Sequence, residues 1–247
     1  MTSALDTFHG EVVRRLDRLA QRAAAGELDA AIDLLAEAIK RDGIIQVFGT
    51  GHSEGFSMEV AGRAGGLIAT NSIRLRDLVI HGGQQPESLS GSDFEQGHGM
   101  VEQLWGLARV HPQDVFVIAS NSGVNGSIVG MAVKAKESGH KIIAVTSLEH
   151  TSRVQPLHPS GHRLLDLADV VIDNLAPYGD TTLPDGTGAV SSLTASFIAQ
   201  QLTIGVVQRL AVEGVDAPIY LSANTPGGRE HNAALEARYE GRLLRTA

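Results

Sequence analysis

Residues 115–146, VFVIASNSGVNGSIVGMAVKAKESGHKIIAVT, decide the fold. Val115 to Ala119 is a short apolar run, residues 120–127 are polar and glycine-rich, 126–138 have helical periodicity, and Ile142 to Val145 is a second apolar run. Strand, helix and strand in that order make a right-handed crossover, the building unit of a parallel sheet.

Working outward, the run Ile44-Ile45-Gln46-Val47-Phe48 predicts another buried strand, followed by GTGHSEG and a helix from about Ser53 to Ala64. Downstream, Val170-Val171-Ile172 reads as a further strand. Alternation of this kind gives a sheet covered by helices on both faces, a three-layer α/β sandwich. Two amphipathic helices open the chain. Residues 5–24 carry Val12, Val13, Leu16 and Leu19 on one face, residues 28–41 carry Ile32, Leu35, Ala38 and Ile39, and Gly26 separates them. Residues 189–212 form a long helix with a wide apolar face, and 229–244 a charged C-terminal helix.

Composition agrees. Apolar residues are 43% of the 247 and aromatics only 4%, so the core is built from Ala, Val, Ile and Leu, as helix-covered parallel sheets are. The length suits one α/β unit, with no stretch of linker composition. The formal charge of −8 argues against a nucleic-acid surface. With no cysteine, disulfides, thiolate zinc sites and a cysteine nucleophile are excluded. The N-terminal stretch has no apolar signal region and no run approaches the ~20 apolar residues of a membrane span, so a cytoplasmic protein with no membrane partner is expected.

Two loops carry the chemistry. Gly49-Thr50-Gly51-His52-Ser53 leaves one strand and enters a helix, and Ser120-Asn121-Ser122-Gly123-Val124-Asn125-Gly126-Ser127 does the same from another. The first has neither the third glycine of a dinucleotide fingerprint nor the Gly-Lys-Ser/Thr of a Walker loop. The second offers hydroxyls, amides and a helix N-terminus within eight residues, neutral donors suited to phosphate oxygens. Either loop alone also describes an ordinary strand-to-helix turn with a capping residue. Together, at the carboxyl edge of one parallel sheet, they predict an anion site.

These segments resemble the sugar isomerase (SIS) domain family, most closely its phosphoheptose-isomerase-like branch. The likeness covers roughly residues 30–212 and rests on GTGHS with its helix and on ASNSGVNGSIVGMAVKAKESGHKIIAVTS. The flanking HTSRVQPLHPSGHRLLDLADVVIDN, GDTTL and SAN…GG…N are similar to a further bacterial subgroup of that family. The resemblance implies a flavodoxin-like sheet of five parallel strands, a homodimer or homotetramer, and a site completed by a neighbouring subunit. It implies a sugar phosphate held by Gly51, Ser53, Ser120, Asn121, Ser122 and Asn125, with Ser191 and Ser192 at the start of the long helix as further candidates.

Moving a carbonyl between C1 and C2 of a sugar requires a base at carbon and an acid at oxygen, usually Glu and His. Glu59 is the expected base. Helical counting from His52 puts 52, 59 and 63 near one face, although Glu59 and Arg63 also have the i,i+4 spacing of a surface ion pair. Phosphoheptose isomerases carry a histidine and a glutamate where this chain has Glu59 and Arg63, and a histidine on the late helix where it has none. Two aperiodic stretches, 71–98 and 147–168, hold five of the ten histidines, and Glu149 with His150 is the best placed pair there. No metal or cofactor is expected. The leading expectation is an aldose–ketose isomerase working through an enediol(ate). The alternatives are a phosphosugar sensor without turnover and an etherase-like lyase on an amino-sugar phosphate.

Overall fold

The computed structural model describes residues 3–90 and 93–244. Two helices come first, α1 (Ala4–Ala24) and α2 (Asp29–Lys40). Ser3 and Asp6 form a reciprocal capping box at the start of α1, and Gly26 turns the chain at φ +86°. There follow β1 (Ile45–Gly49), α3 (Glu54–Val60), β2 (Thr70–Ile73), α4 (Asp77–Ile80), α5 (Asp93–Gln96), α6 (Val101–Leu107), β3 (Val115–Ala119) and α7 (Gly126–Glu137). The chain continues through β4 (Lys141–Thr146), α8 (Leu148–Thr151), α9 (Leu164–Leu167), β5 (Val170–Asp173), α10 (Ser191–Val212) and α11 (Gly228–Glu236).

All five strands are parallel, in the order β2-β1-β3-β4-β5. Successive side chains point to opposite faces, and the core divides accordingly. Val47, Val117, Ile143 and Ile172 pack with α2, α3 and α10 on one face. Phe48, Phe116, Ile118 and Ala144 pack with α6, α7 and α9 on the other. The expected three-layer α/β sandwich of five parallel strands is therefore what forms.

Three readings change. Thr70–Ile73, placed largely in an aperiodic stretch, is the edge strand β2. All four of its residues are buried although Thr70, Asn71 and Ser72 are polar, so period-two alternation is absent. The helix expected over 53–64 is shorter: Gly51–Ser53 is a 3₁₀ turn, α3 begins at Glu54, and the chain is extended by Ala61. The C-terminal helix ends at Glu236, passes into a 3₁₀ turn at Ala237–Tyr239 and continues as irregular chain.

That irregular segment is tied beneath the sheet. The fully buried Asp114 carboxylate accepts from Ile44 N (2.8 Å), Gln46 Nε2 (2.9 Å) and His111 N (3.0 Å), and pairs with Arg242 Nη2 at 2.5 Å. Arg242 also donates to Asp42 O, while Asn71 holds the nearby backbone through Arg242 O and Leu244 N. Removing one partner strands a buried charge, which outweighs the loss of a surface pair several-fold. Arg242→Ala is expected to lower the unfolding free energy by about 3–5 kcal/mol, read as a shifted urea midpoint. A change below about 0.5 kcal/mol, the ordinary surface range, would contradict this account.

Candidate functional site

Strand register positions the site. Gly49 pairs with Ala119, and Ala119 with Val145, so β1, β3 and β4 end level and their loops emerge side by side. Between β1 and β3 the chain order reverses, the place where open α/β sheets receive ligands. A cleft of ≈ 340 Å³ opens there.

The cleft gathers most of the expected residues. His52 and Ser53 line it from the first loop, and Ser120, Asn121, Ser122 and Asn125 from the second. His150 comes from the turn after β4, and Ser191 and Ser192 from the start of α10. Gly51, at φ +55°, forms the bend of the first loop beside them. Ser53 and Ser122, placed 69 positions apart by the numbering, thus face one space.

Each loop is held by its own bonds. Gly123, at φ +65°, donates its N–H to Ser120 Oγ (3.1 Å), a left-handed turn that glycine adopts without the Cβ penalty. Asn121 O accepts from Ser147 N (3.2 Å), and Asn121 Oδ1 accepts from Asn174 Nδ2 (3.2 Å). Asn125, extended at φ −60° and ψ 143°, stands at the N-terminus of the twelve-residue α7, whose dipole is positive there.

Two expected catalytic residues lie elsewhere. Glu59 sits on the last turn of α3, bonded to Arg63 and to Gln200 Nε2 (2.6 Å) of α10, and does not line the cleft. The face shared by 52, 59 and 63 does not exist, because His52 precedes α3 in a 3₁₀ turn and Arg63 follows its end. Glu149 is exposed on α8 and paired with Arg153 at 3.1 Å, away from the cleft that its neighbour His150 lines. Arg153 lies over the Tyr178 ring, 5.2 Å from its centroid, which leaves it on this outer cluster.

His150 is well defined. Its Nδ1 accepts from Gly179 N at 3.0 Å, so in the neutral ring the proton sits on Nε2 and is available as a donor. His158 packs edge-on to His98 at 5.0 Å outside the cleft lining. Burial, and after it the proximity of His98 and His162, holds the His158 imidazole below its ordinary pKa. Among the described residues no group of three or more His, Asp or Glu side chains is arranged to hold a metal ion.

Two carboxylates in the cleft are absent from the sequence reading. Glu95, from α5, accepts through Oε1 from Thr50 Oγ1 (2.9 Å) of the first loop and from Asn125 Nδ2 (2.8 Å) of the second. It bridges the two loops. Asp180, at φ +66°, accepts through Oδ1 from Val190 N (3.2 Å) and Ser191 N (2.7 Å), and through Oδ2 from Ser191 Oγ (2.6 Å). Asp180 therefore caps α10, and the Ser191 hydroxyl, expected to serve a phosphate, is spent on it. The only signals in the sequence are the length of the aperiodic stretch containing Glu95 and the GDTTL segment containing Asp180.

Known proteins share this sequence pattern and fold. Residues 7–147 match the SIS domain family, and the chain belongs to it. UPF0309 proteins of Brucella canis and Brucella melitensis are each 38% identical over 247 residues, covering 98% of this chain and 98% of theirs. Among solved structures, a phosphoheptose isomerase from Francisella tularensis superposes with TM-score 0.54 at 16% identity, over 84% of this chain and 100% of that one. An E. coli CFT073 protein, solved as a complex, gives 0.53 at 16%, over 84% and 89%. The Vibrio vulnificus NanR protein complexed with ManNAc-6P gives 0.52 at 13%, over 94% of this chain and 68% of that one. Among the described residues no helix is long and apolar enough to cross a membrane.

Asp180→Ala removes the cap of α10 and puts a Cβ-bearing, non-Asx residue at positive φ. The expected cost is about 1–2 kcal/mol by chemical denaturation, with Asp180→Asn retaining most of the stability. Equal losses in the two variants would show that capping is not what Asp180 does.

Proposed function

We propose that this protein binds a sugar phosphate in the cleft at the carboxyl edge of the sheet and interconverts its aldose and ketose forms through an enediol(ate). The observation that carries the reading is the convergence, on one cleft, of two strand-to-helix loops whose donors are neutral. Hydroxyls and amides of Ser53, Ser120, Ser122 and Asn125, with main-chain N–H groups at the start of α7, suit a dianionic ester. Among the described residues no Lys or Arg lines the cleft. A homodimer or homotetramer in which a neighbouring subunit closes the cleft would bring further donors to it, and the SIS relationship supports that arrangement.

His150, with its proton on Nε2, is suited to stabilise the oxygen on which charge develops. The Francisella tularensis structure is that of a phosphoheptose isomerase and the Vibrio vulnificus NanR structure holds ManNAc-6P, and both share this fold.

A panel of aldose and ketose phosphates should raise the melting temperature, because a ligand that binds only the folded state stabilises it by RT ln(1 + [L]/Kd). Ser122→Ala removes a donor to a charged group, worth about 1.5–3 kcal/mol, and should weaken binding roughly tenfold or more. Equal shifts in wild type and variant would remove the second loop from the site. Exchange of the C2 proton in deuterium oxide, followed by NMR, tests turnover. Tight binding without exchange on every sugar tried would favour the sensor, and release of lactate from a muramic acid phosphate the lyase.

A further inference from the structure

We infer that Glu95 is the group that takes the proton from carbon in this cleft. The inference rests on the isomerase reading above and supplies a base within the chain's own cleft, which Glu59 does not line.

Of the carboxylates brought to the cleft, Asp180 has both oxygens committed to the start of α10. Glu95 is different. Its two hydrogen bonds, from Thr50 and Asn125, both end on Oε1, and among the described residues Oε2 receives none. The carboxylate lies between the two phosphate-type loops, and a Cβ added at Gly51 would come within 3.1 Å of Oε2. A side chain at position 51 would crowd the oxygen that is left for chemistry.

The backbone beneath Glu95 is anchored. Ser127 Oγ donates to Glu95 O at 2.5 Å, and Gln96 O passes so close to Gly126 that a Cβ there would meet it at 2.1 Å. Any larger residue at 126 would push α5 off the start of α7. Glu95 is thus half-buried, rigidly mounted, oriented by two donors through one oxygen, and open through the other. These are the requirements for a positioned proton-transfer carboxylate.

The step balances without another reactant. The C2–H bond of the aldose breaks to Glu95 Oε2, and its electron pair forms the C1=C2 bond of the enediol(ate). One proton passes from O2 to O1, and the proton on Oε2 returns to C1 to give the ketose. Hydrogen is neither gained nor lost, so neither oxidant nor reductant is required. A protonated carboxyl that trades its proton with solvent before returning it introduces deuterium into the sugar.

The full-length protein is incubated with the sugar-phosphate panel in deuterium oxide, and exchange is followed by NMR. Glu95→Gln keeps an acceptor for Thr50 and is expected to lose exchange by about 10²–10⁴-fold while keeping the melting shift produced by the same sugar phosphate. In Glu95→Ala, added formate occupies the space of the lost carboxylate and is expected to restore exchange at least tenfold over chloride at equal ionic strength, a rescue that a merely structural role would not give. Exchange persisting in Glu95→Gln, or lost in Glu95→Ala and not restored by formate, overturns the assignment of Glu95 alone. Absence of exchange in the wild type with every sugar overturns the isomerase reading, and this inference with it.

Discussion

The site depends on the parallel register of β1, β3 and β4. Because Gly49, Ala119 and Val145 are paired across the three strands, the chain leaves all three at the same height. A shift of one residue in either ladder would invert the faces of the strand and move its loop along the edge. The register is enforced by burial on both sides: Phe116 and Ile118 must meet the helices α6 and α7 while Val115 and Val117 meet α2 and α10. Hydrophobic packing thereby brings the polar loops out side by side, and their own hydrogen bonds then fix their shape.

Opposite ends of the sheet do different work. At the amino edge, the buried Asp114 carboxylate is engaged by three N–H donors and one guanidinium, and the tail of the chain is held against it. At the carboxyl edge, pairing is partial and directional. Asn121 is fixed by Ser147 and Asn174, and Glu95 by Thr50 and Asn125, yet hydroxyls and a carboxylate oxygen still face the cleft. Full engagement holds Asp114 in place, whereas carboxylates and hydroxyls engaged the same way at the carboxyl edge would have nothing left to offer a ligand.

Charge sharpens the picture. The cleft combines neutral donors with two carboxylates and two histidines, so the cost of bringing an anion there is set by how each carboxylate is already engaged. Asp180 lies against the α10 N-terminus with both oxygens hydrogen-bonded there. Glu95 shares Asn125 with the second loop, which couples the proposed phosphate donors to the proton-transfer group through one amide.

How much of this is legible follows from the range of the forces involved. Strands β1, β3, β4 and β5, the helices α3 and α7 and the two polar loops are specified by local periodicity and turn chemistry, and nine of the residues named as candidates line one cleft, Ser191 with its hydroxyl bonded to Asp180. Strand β2 escapes because a strand buried on both faces without strong apolar character has no alternation to detect. The choice of carboxylate is invisible for a different reason. Nearness along the chain favours Glu59 and Glu149, but side-chain direction is decided by where a helix begins and what it packs on, and α3 starts too late to carry His52. Glu95 reaches the cleft only because Ser127 and Gly126 receive the backbone of α5, a contact across some 30 residues that no window of sequence contains. The sequence by itself determined the layers, the strand ends and the donors. Tertiary packing alone decided which acid stands among them, since that position is fixed by long-range contact and not by pattern.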